Sequence, residues 1–198
     1  MLLVLSLALG CASAETVATI PSKTTSDMAQ IAAVEATGVV PEDSGFVVEI
    51  VQDTEPVQAE VAKLYTAVTV GGVAPVEYFP VEVKEAVAAA LPETVVPEAL
   101  ELNELVPVDA RNYDISYGDV YATFAFATMY TPGQTVVALL GLYTGEVDEN
   151  GNYIVEWVTL NAEVNEDGTL RVLMPADVVA RLQAAPAAAL AVLNEPQI

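Results

Sequence analysis

Alternation of apolar and polar positions is clearest between residues 119 and 174. From Asp119 to Met129, Val120, Ala122, Phe124 and Phe126 fall on one side of an extended chain, with Tyr121, Thr123, Ala125 and Ala127 on the other. A period of two carried by aromatic and β-branched residues predicts a strand. Pro132-Gly133-Gln134 turns the chain. Thr135 to Tyr143 is apolar on both faces, which predicts an interior strand covered on each side. Tyr153 to Val164 and Thr169 to Met174 complete a run of consecutive antiparallel strands. Their connections, Asp148-Glu149-Asn150-Gly151 and Asn165-Glu166-Asp167-Gly168, place Asp or Asn first and Gly fourth. That is the pattern of a type I turn closed by a left-handed glycine.

The strand from Tyr153 changes phase. Tyr153, Val155 and Trp157 are odd-numbered, whereas Leu160, Ala162 and Val164 are even. A slip of one residue sends each side chain to the opposite face, so the pattern predicts a bulge or bend near Val158-Thr159 that keeps both halves facing the core. Trp157, the only tryptophan, is expected to pack rather than react.

Upstream, Asp27 to Thr37 carries Met28, Ile31 and Val34 at helix-like spacing. The turn residues Gly38, Pro41 and Asp43-Ser44-Gly45 that follow favour a strand paired as a hairpin with Phe46 to Gln52. Asp53-Thr54-Glu55-Pro56 is a helix start, and Val57, Val61, Leu64, Tyr65 and Val68 keep helical spacing until Gly71-Gly72. Pro80 opens a second helix, Val81 to Leu91. Pro97 to Leu105 reads as a short third turn with Leu102 and Leu105 facing inward, and Asn112 to Gly118 as a linker. After Pro175-Ala176-Asp177 a helix runs through Gln183 and stops at Pro186. Ala187 to Asn194 fits helix or strand, and reads as a closing strand.

These elements give an α+β protein: an N-terminal hairpin and two or three helices, then a C-terminal antiparallel β-sheet of immunoglobulin-like or similar sandwich form with one short helix. The expected division is a signal peptide at 1–14, a flexible lead-in at 15–26, a hairpin plus helical region at 27–111 and an antiparallel β region at 112–198.

Met1 to Ala14 is an apolar run ending in Ala12-Ser13-Ala14, the form of an export signal with a small-residue cleavage site. Cleavage after Ala14 would remove Cys11, the only cysteine. The competing reading is a lipid anchor on Cys11, which Ala8-Leu9-Gly10 precedes. No later apolar run reaches the roughly 20 residues of a spanning helix. Hydrophobic residues make up 54% of the 198-residue chain, enough for a packed core without disulfides. The net charge of −22 from 28 acids and 6 bases excludes nucleic acid as a partner and disfavours anionic membranes. Such acidity keeps an exported chain apart from its copies, so a monomer is expected.

Histidine is absent, which removes a Ser-His-Asp triad, a Cys-His pair and histidine-held zinc or haem. No Gly-rich phosphate loop is present, and neither Ser22, Ser26, Ser44 nor Ser116 stands at Ser-x-x-Lys spacing to Lys23, Lys63 or Lys84. Carboxylate pairs abound in so acidic a chain, but a glycosidase pair is defined by separation across a cleft. Glu156 is the most prominent single acid, because it interrupts an apolar strand beside Trp157; a solvent-facing position is the simpler reading. Asp148, Asn150 and Asn152 follow the alternate spacing of a calcium loop, yet Tyr153 stands where its glycine belongs and Thr159 where its glutamate belongs. Leu91-Pro92-Glu93-Thr94 resembles a sorting signal but has Val95 in place of glycine, so it reads as a helix end. Tyr113, Tyr117 and Tyr143 are candidates for stacking on sugars, or for covering a core edge. No residue is assigned as catalytic, cofactor-binding or metal-ligating.

With Tyr78-Phe79-Pro80, Leu102-Asn103-Glu104 and the Trp157-to-Gly168 stretch, the chain resembles uncharacterised secreted proteins of Gram-positive bacteria. That resemblance implies no assigned activity. The expected function is an exported, non-enzymatic binding or structural module at the bacterial cell exterior, with an extracellular protein or glycan as its partner. The alternatives are a carboxylate-dependent enzyme of glycoside hydrolase type acting on extracellular polysaccharide, and a cation-responsive surface protein.

Overall fold

The computed structural model describes residues 29–51, 55–127 and 129–196, apart from the side chains of Val61, Tyr65 and Thr69. The expected signal peptide, its lead-in, Cys11 and the capping residues Asp53 and Thr54 lie outside the described residues.

In chain order the elements are β1 (Ala29–Ala36), β2 (Val47–Ile50), α1 (Glu55–Thr69), α2 (Val81–Ala90), β3 (Glu101–Arg111), β4 (Val120–Phe126), β5 (Val136–Val147), β6 (Tyr153–Val164), β7 (Leu170–Met174), α3 (Ala176–Ala184) and β8 (Ala188–Asn194). Short 3-10 turns lie at Pro75–Tyr78, Pro97–Ala99 and Ile115–Tyr117. The fold is mixed α and β, with a mostly antiparallel sheet and few helices. Among the described residues no helix is long and apolar enough to cross a membrane.

The strands form one eight-stranded sheet in the order β1-β4-β7-β6-β5-β8-β3-β2. Its two edges, β1 and β2, come near each other without pairing, so the sheet is curled almost into a barrel. Phe124, Leu140, Leu160, Val172 and Leu190 fill the inside together with Val178, Val179 and Leu182 of α3. On the outside, Leu64 of α1, Phe79, and Val83 and Val87 of α2 pack on Val137, Leu139, Ala191 and Leu193. Two covered faces explain why β5 is apolar from Val136 to Tyr143 and β8 from Ala188 to Leu193, as the pattern at Thr135 to Tyr143 predicts. The closing strand expected at Ala187 to Asn194 is β8, hydrogen-bonded to β5 and β3.

Both acidic turns form as expected. Gly151 N–H donates to the Asp148 carbonyl and Gly168 N–H to the Asn165 carbonyl, each at 3.0 Å, and both glycines have positive φ.

Four expectations are corrected. The N-terminal strands exist but make no hairpin: β1 pairs with β4 and β2 with β3. The chain leaving β1 is tied elsewhere, with Thr37 and Gly38 N–H donating to the Asp119 and Tyr117 carbonyls. Any side chain on Gly38 would meet the Ser116 carbonyl oxygen at 2.6 Å, so this crossing needs glycine. The helix-like spacing of Ile31 and Val34 reflects a bulge between Ile31 and Ala33, which moves the buried positions from odd to even.

The second correction concerns the sandwich, since one continuous sheet replaces two stacked ones. Third, β6 has no bulge at Val158-Thr159. Its pairing with β5 is unbroken from Val155 to Leu160. The phase change is a change of partner: Tyr153, Val155 and Trp157 face the outer layer, while Val158, Leu160 and Ala162 face the interior. Fourth, the turn begun at Pro97 ends at Ala99, and Leu102 and Leu105 belong to β3. Pro107 hides this strand in the sequence. In the sheet it stands just past the last β2 pair, Ile50 with Val108, where its carbonyl still accepts from Val51 N–H.

Candidate functional site

A concavity of about 690 Å³ lies where β3 meets the end of α3 and the start of β8. Pro107, Val51, Val57, Leu182 and Ala185 to Ala188 give it apolar walls, with Asp109, Arg111, Asn112 and Gln183 as polar members. Its size fits a small-ligand site. The β2–β3 register puts Glu49 opposite Asp109, two like charges that would repel. Arg111, two residues along, resolves this: its guanidinium donates to the Glu49 carboxylate and lies 3.8 Å from Asp109. Glu49 is only 6% exposed, so removing that partner would leave a buried polar group unpaired. Gln183 ties α3 to the segment that follows β3, accepting from Tyr113 N–H at 2.5 Å and donating to the Tyr113 carbonyl.

A second depression, about 360 Å³, lies on the outer face between α1 and β6. Glu60, Lys63, Tyr78, Asn152, Tyr153 and Trp157 line it. Glu60 is 7% exposed and accepts from the Tyr78 hydroxyl at 2.7 Å. Burial, then the Glu60 carboxylate, pushes the Tyr78 phenol far above its usual range. Burial and the same carboxylate raise Tyr143, whose hydroxyl is buried without a hydrogen-bond partner.

The residues that stand out in the sequence fall elsewhere. Glu156 is 59% exposed in its side chain and pairs with Arg181 of α3 at 2.6 Å, so it is a solvent-facing residue. Asp148 spends its carboxylate on its own turn: Oδ1 accepts from Asn150 and Asn152 N–H, and Oδ2 from the Asn152 amide. These bonds hold its carboxyl below the usual range, and Thr169 and Ser116 do the same for Asp167 and Asp114. Among the described residues no three His, Cys, Asp or Glu are grouped to hold a metal ion. Ser44 Oγ accepts from Phe46 N–H and Ser116 donates to Asp114, while Lys63 and Lys84 face Glu60 and Glu77. Tyr113 and Tyr143 are buried and Tyr117 packs on Phe46, so all three cover a core rather than offer a sugar platform. Leu91 caps α2, the helix end expected there.

Sequence reading missed Glu49, Asp109, Arg111, Glu60 and Tyr78. Glu60 did leave a signal: with Val57 and Leu64 it lies on the apolar stripe of α1, where an acid is out of place. Glu49 and Arg111 are 62 residues apart and meet only through strand pairing.

Compared with protein-family models, with curated proteins and with solved structures, the chain gives no match.

Proposed function

We propose that this chain is an exported, non-enzymatic binding module of the bacterial cell exterior, and that the cleft beside α3 receives its ligand. One observation carries the reading: the charged groups lining the cleft, Asp109 and Arg111, are committed to each other and to Glu49 on the neighbouring strand. A carboxylate pair for hydrolysis would instead face each other across a substrate, one of them protonated. What remains open to a ligand is an apolar wall with a polar edge, which suits recognition by shape. Asp109 and Arg111 cancel at the edge, and the chain as a whole is at −22, so a neutral or basic extracellular protein or glycan is favoured. Export rests on the Met1 to Ala14 run, and the resemblance to secreted Gram-positive proteins agrees with it.

Two measurements test this. Protein recovered from the culture medium of an expressing Gram-positive host should begin at Glu15; a chain kept in the cytoplasm with Met1 intact would end the export reading. The recovered protein is then probed on peptide and glycan arrays, with NMR mapping of any hit. Expected are shifts at Asn112, Gln183 and Ala188, and loss of binding in Ala185→Phe, which fills the cleft. Cleavage of an array glycan, or shifts confined to another surface, would overturn the reading.

A further inference from the structure

We propose that the depression between α1 and β6 is a second, separate site that binds a neutral saccharide ring. It has the two kinds of surface such a ring requires. The C–H faces of a pyranose are apolar and pack on aromatic rings, while its hydroxyls both donate and accept hydrogen bonds. Tyr78, Tyr153 and Trp157 supply aromatic surface, with Pro80 and Val155 beside them. Glu60 supplies acceptors, Lys63 supplies donors, and the Asn152 amide supplies both.

The carboxylate is built in rather than incidental. Glu60 is nine-tenths buried and its Oε1 is fixed by the Tyr78 hydroxyl at 2.7 Å. Its Oε2 stands 3.9 Å from Lys63 Nζ, an ion pair too long for a hydrogen bond. A sugar hydroxyl between them would donate to Oε2 and accept from the ammonium, giving charge-assisted bonds in a half-dry setting. Solvation alone gives no reason to place an acid on the buried stripe of α1, where it costs free energy. Glu60 and Lys63 cancel in charge, so the site selects neither anions nor cations, and a neutral polyhydroxylated ring is the ligand that matches. The bound sugar leaves unchanged, and in that respect the proposal shares the reading of the chain as a binder. Its location is independent of the cleft beside α3.

Trp157 is the only tryptophan and lines the depression, so its emission reports occupancy. The full-length secreted protein is titrated with methyl glycosides of glucose, galactose, mannose and N-acetylglucosamine, with short oligomers of each, and with choline. Expected is a saturable change with at least one neutral sugar, weakened about tenfold in Glu60→Gln by loss of a charge-assisted acceptor. Tyr153→Ala and Lys63→Ala, at a half-buried position, should weaken it as well, and far-ultraviolet circular dichroism should show each variant folded. Silence from every sugar, a response to choline alone, or a sugar response that survives Glu60→Gln and Lys63→Ala overturns the proposal and leaves the α3 cleft reading standing. Release of a cleaved product, followed by chromatography, would sink the non-enzymatic reading while supporting the site.

Discussion

Gly141 lies directly across the β5–β6 ladder from Trp157, and the indole occupies the space a side chain on Gly141 would need. A Cβ at Gly141 would come within 2.8 Å of Trp157 Cη2 and Cζ3 and 3.0 Å of Val155 Cγ1. The φ of Gly141 is not positive, so the requirement is for space and not for a glycine backbone. Laid over Gly141, the indole meets Phe79 edge-on, with centroids 4.9 Å apart and planes at 80°. Gly141→Ala should therefore lift the indole, lose that contact and cost roughly 1–3 kcal/mol, as overpacking does. Urea unfolding read by Trp157 emission would show it as a lower midpoint and altered native fluorescence. An unchanged midpoint would mean the indole does not seat there.

Covered faces on both sides of β5 make a second prediction. Leu139 points to the helices and Leu140 to the barrel interior, and both are fully buried. In a half-solvated sheet one of two adjacent positions would tolerate truncation. Here Leu139→Ala and Leu140→Ala should each cost about 2–5 kcal/mol by chemical denaturation. A small effect at Leu139 would show that α1 and α2 do not cover the sheet.

What could be read in advance was local. The Asp148 and Asn165 turns, the two-faced apolar run of β5 and the starts of α2 and α3 depend on neighbours within a few residues, and all stand in the structure. Partnership was not readable. The Phe46 to Gln52 strand offers the same alternation to any partner, and the loop tied down at Gly38 decides that β1 goes to β4. Val106, Val108 and Ala110 alternate as a strand requires, but Pro107 stands among them and is tolerated only because the β2 pairing ends beside it. The candidate sites were still less visible. Glu49 with Arg111 joins residues 62 apart, and Glu60 with Tyr78 depends on how the turn after α1 folds back on the helix.

The acidic turn at Asp148 gives a pH prediction. Its carboxyl titrates below the usual range chiefly because the Asn152 amide and N–H bond the charged form, with Asn150 N–H and Lys63 adding to the effect. A lowered folded value means the stabilisation is complete above the unfolded value of about 3.9 and is lost as pH falls through the folded one. The stability difference between the parent and Asp148→Ala should thus be constant near neutral pH and shrink below about pH 4. Both carboxylate oxygens are already occupied by the turn, so millimolar calcium should leave the melting temperature unchanged. A calcium-dependent rise would restore the cation-responsive reading.

Arg111 gives the last prediction, and its sign depends on what is left behind. The guanidinium is 52% exposed, while the Glu49 side chain it holds is 8% exposed and faces Asp109 across the strand pair. Removing Arg111 therefore leaves a buried charge beside a like charge. The exposure of Arg111 lets water screen part of that penalty, so Arg111→Met should cost about 1–3 kcal/mol rather than the full cost of breaking a buried pair. The double variant Glu49→Leu with Arg111→Met removes both charges and lets Leu pack where the carboxylate lay. Its stability should recover to within about 1 kcal/mol of the parent. A thermal or urea double-mutant cycle reads the coupling directly. If the two losses simply add, Glu49 does not depend on Arg111, and the charges at the cleft are not committed to one another.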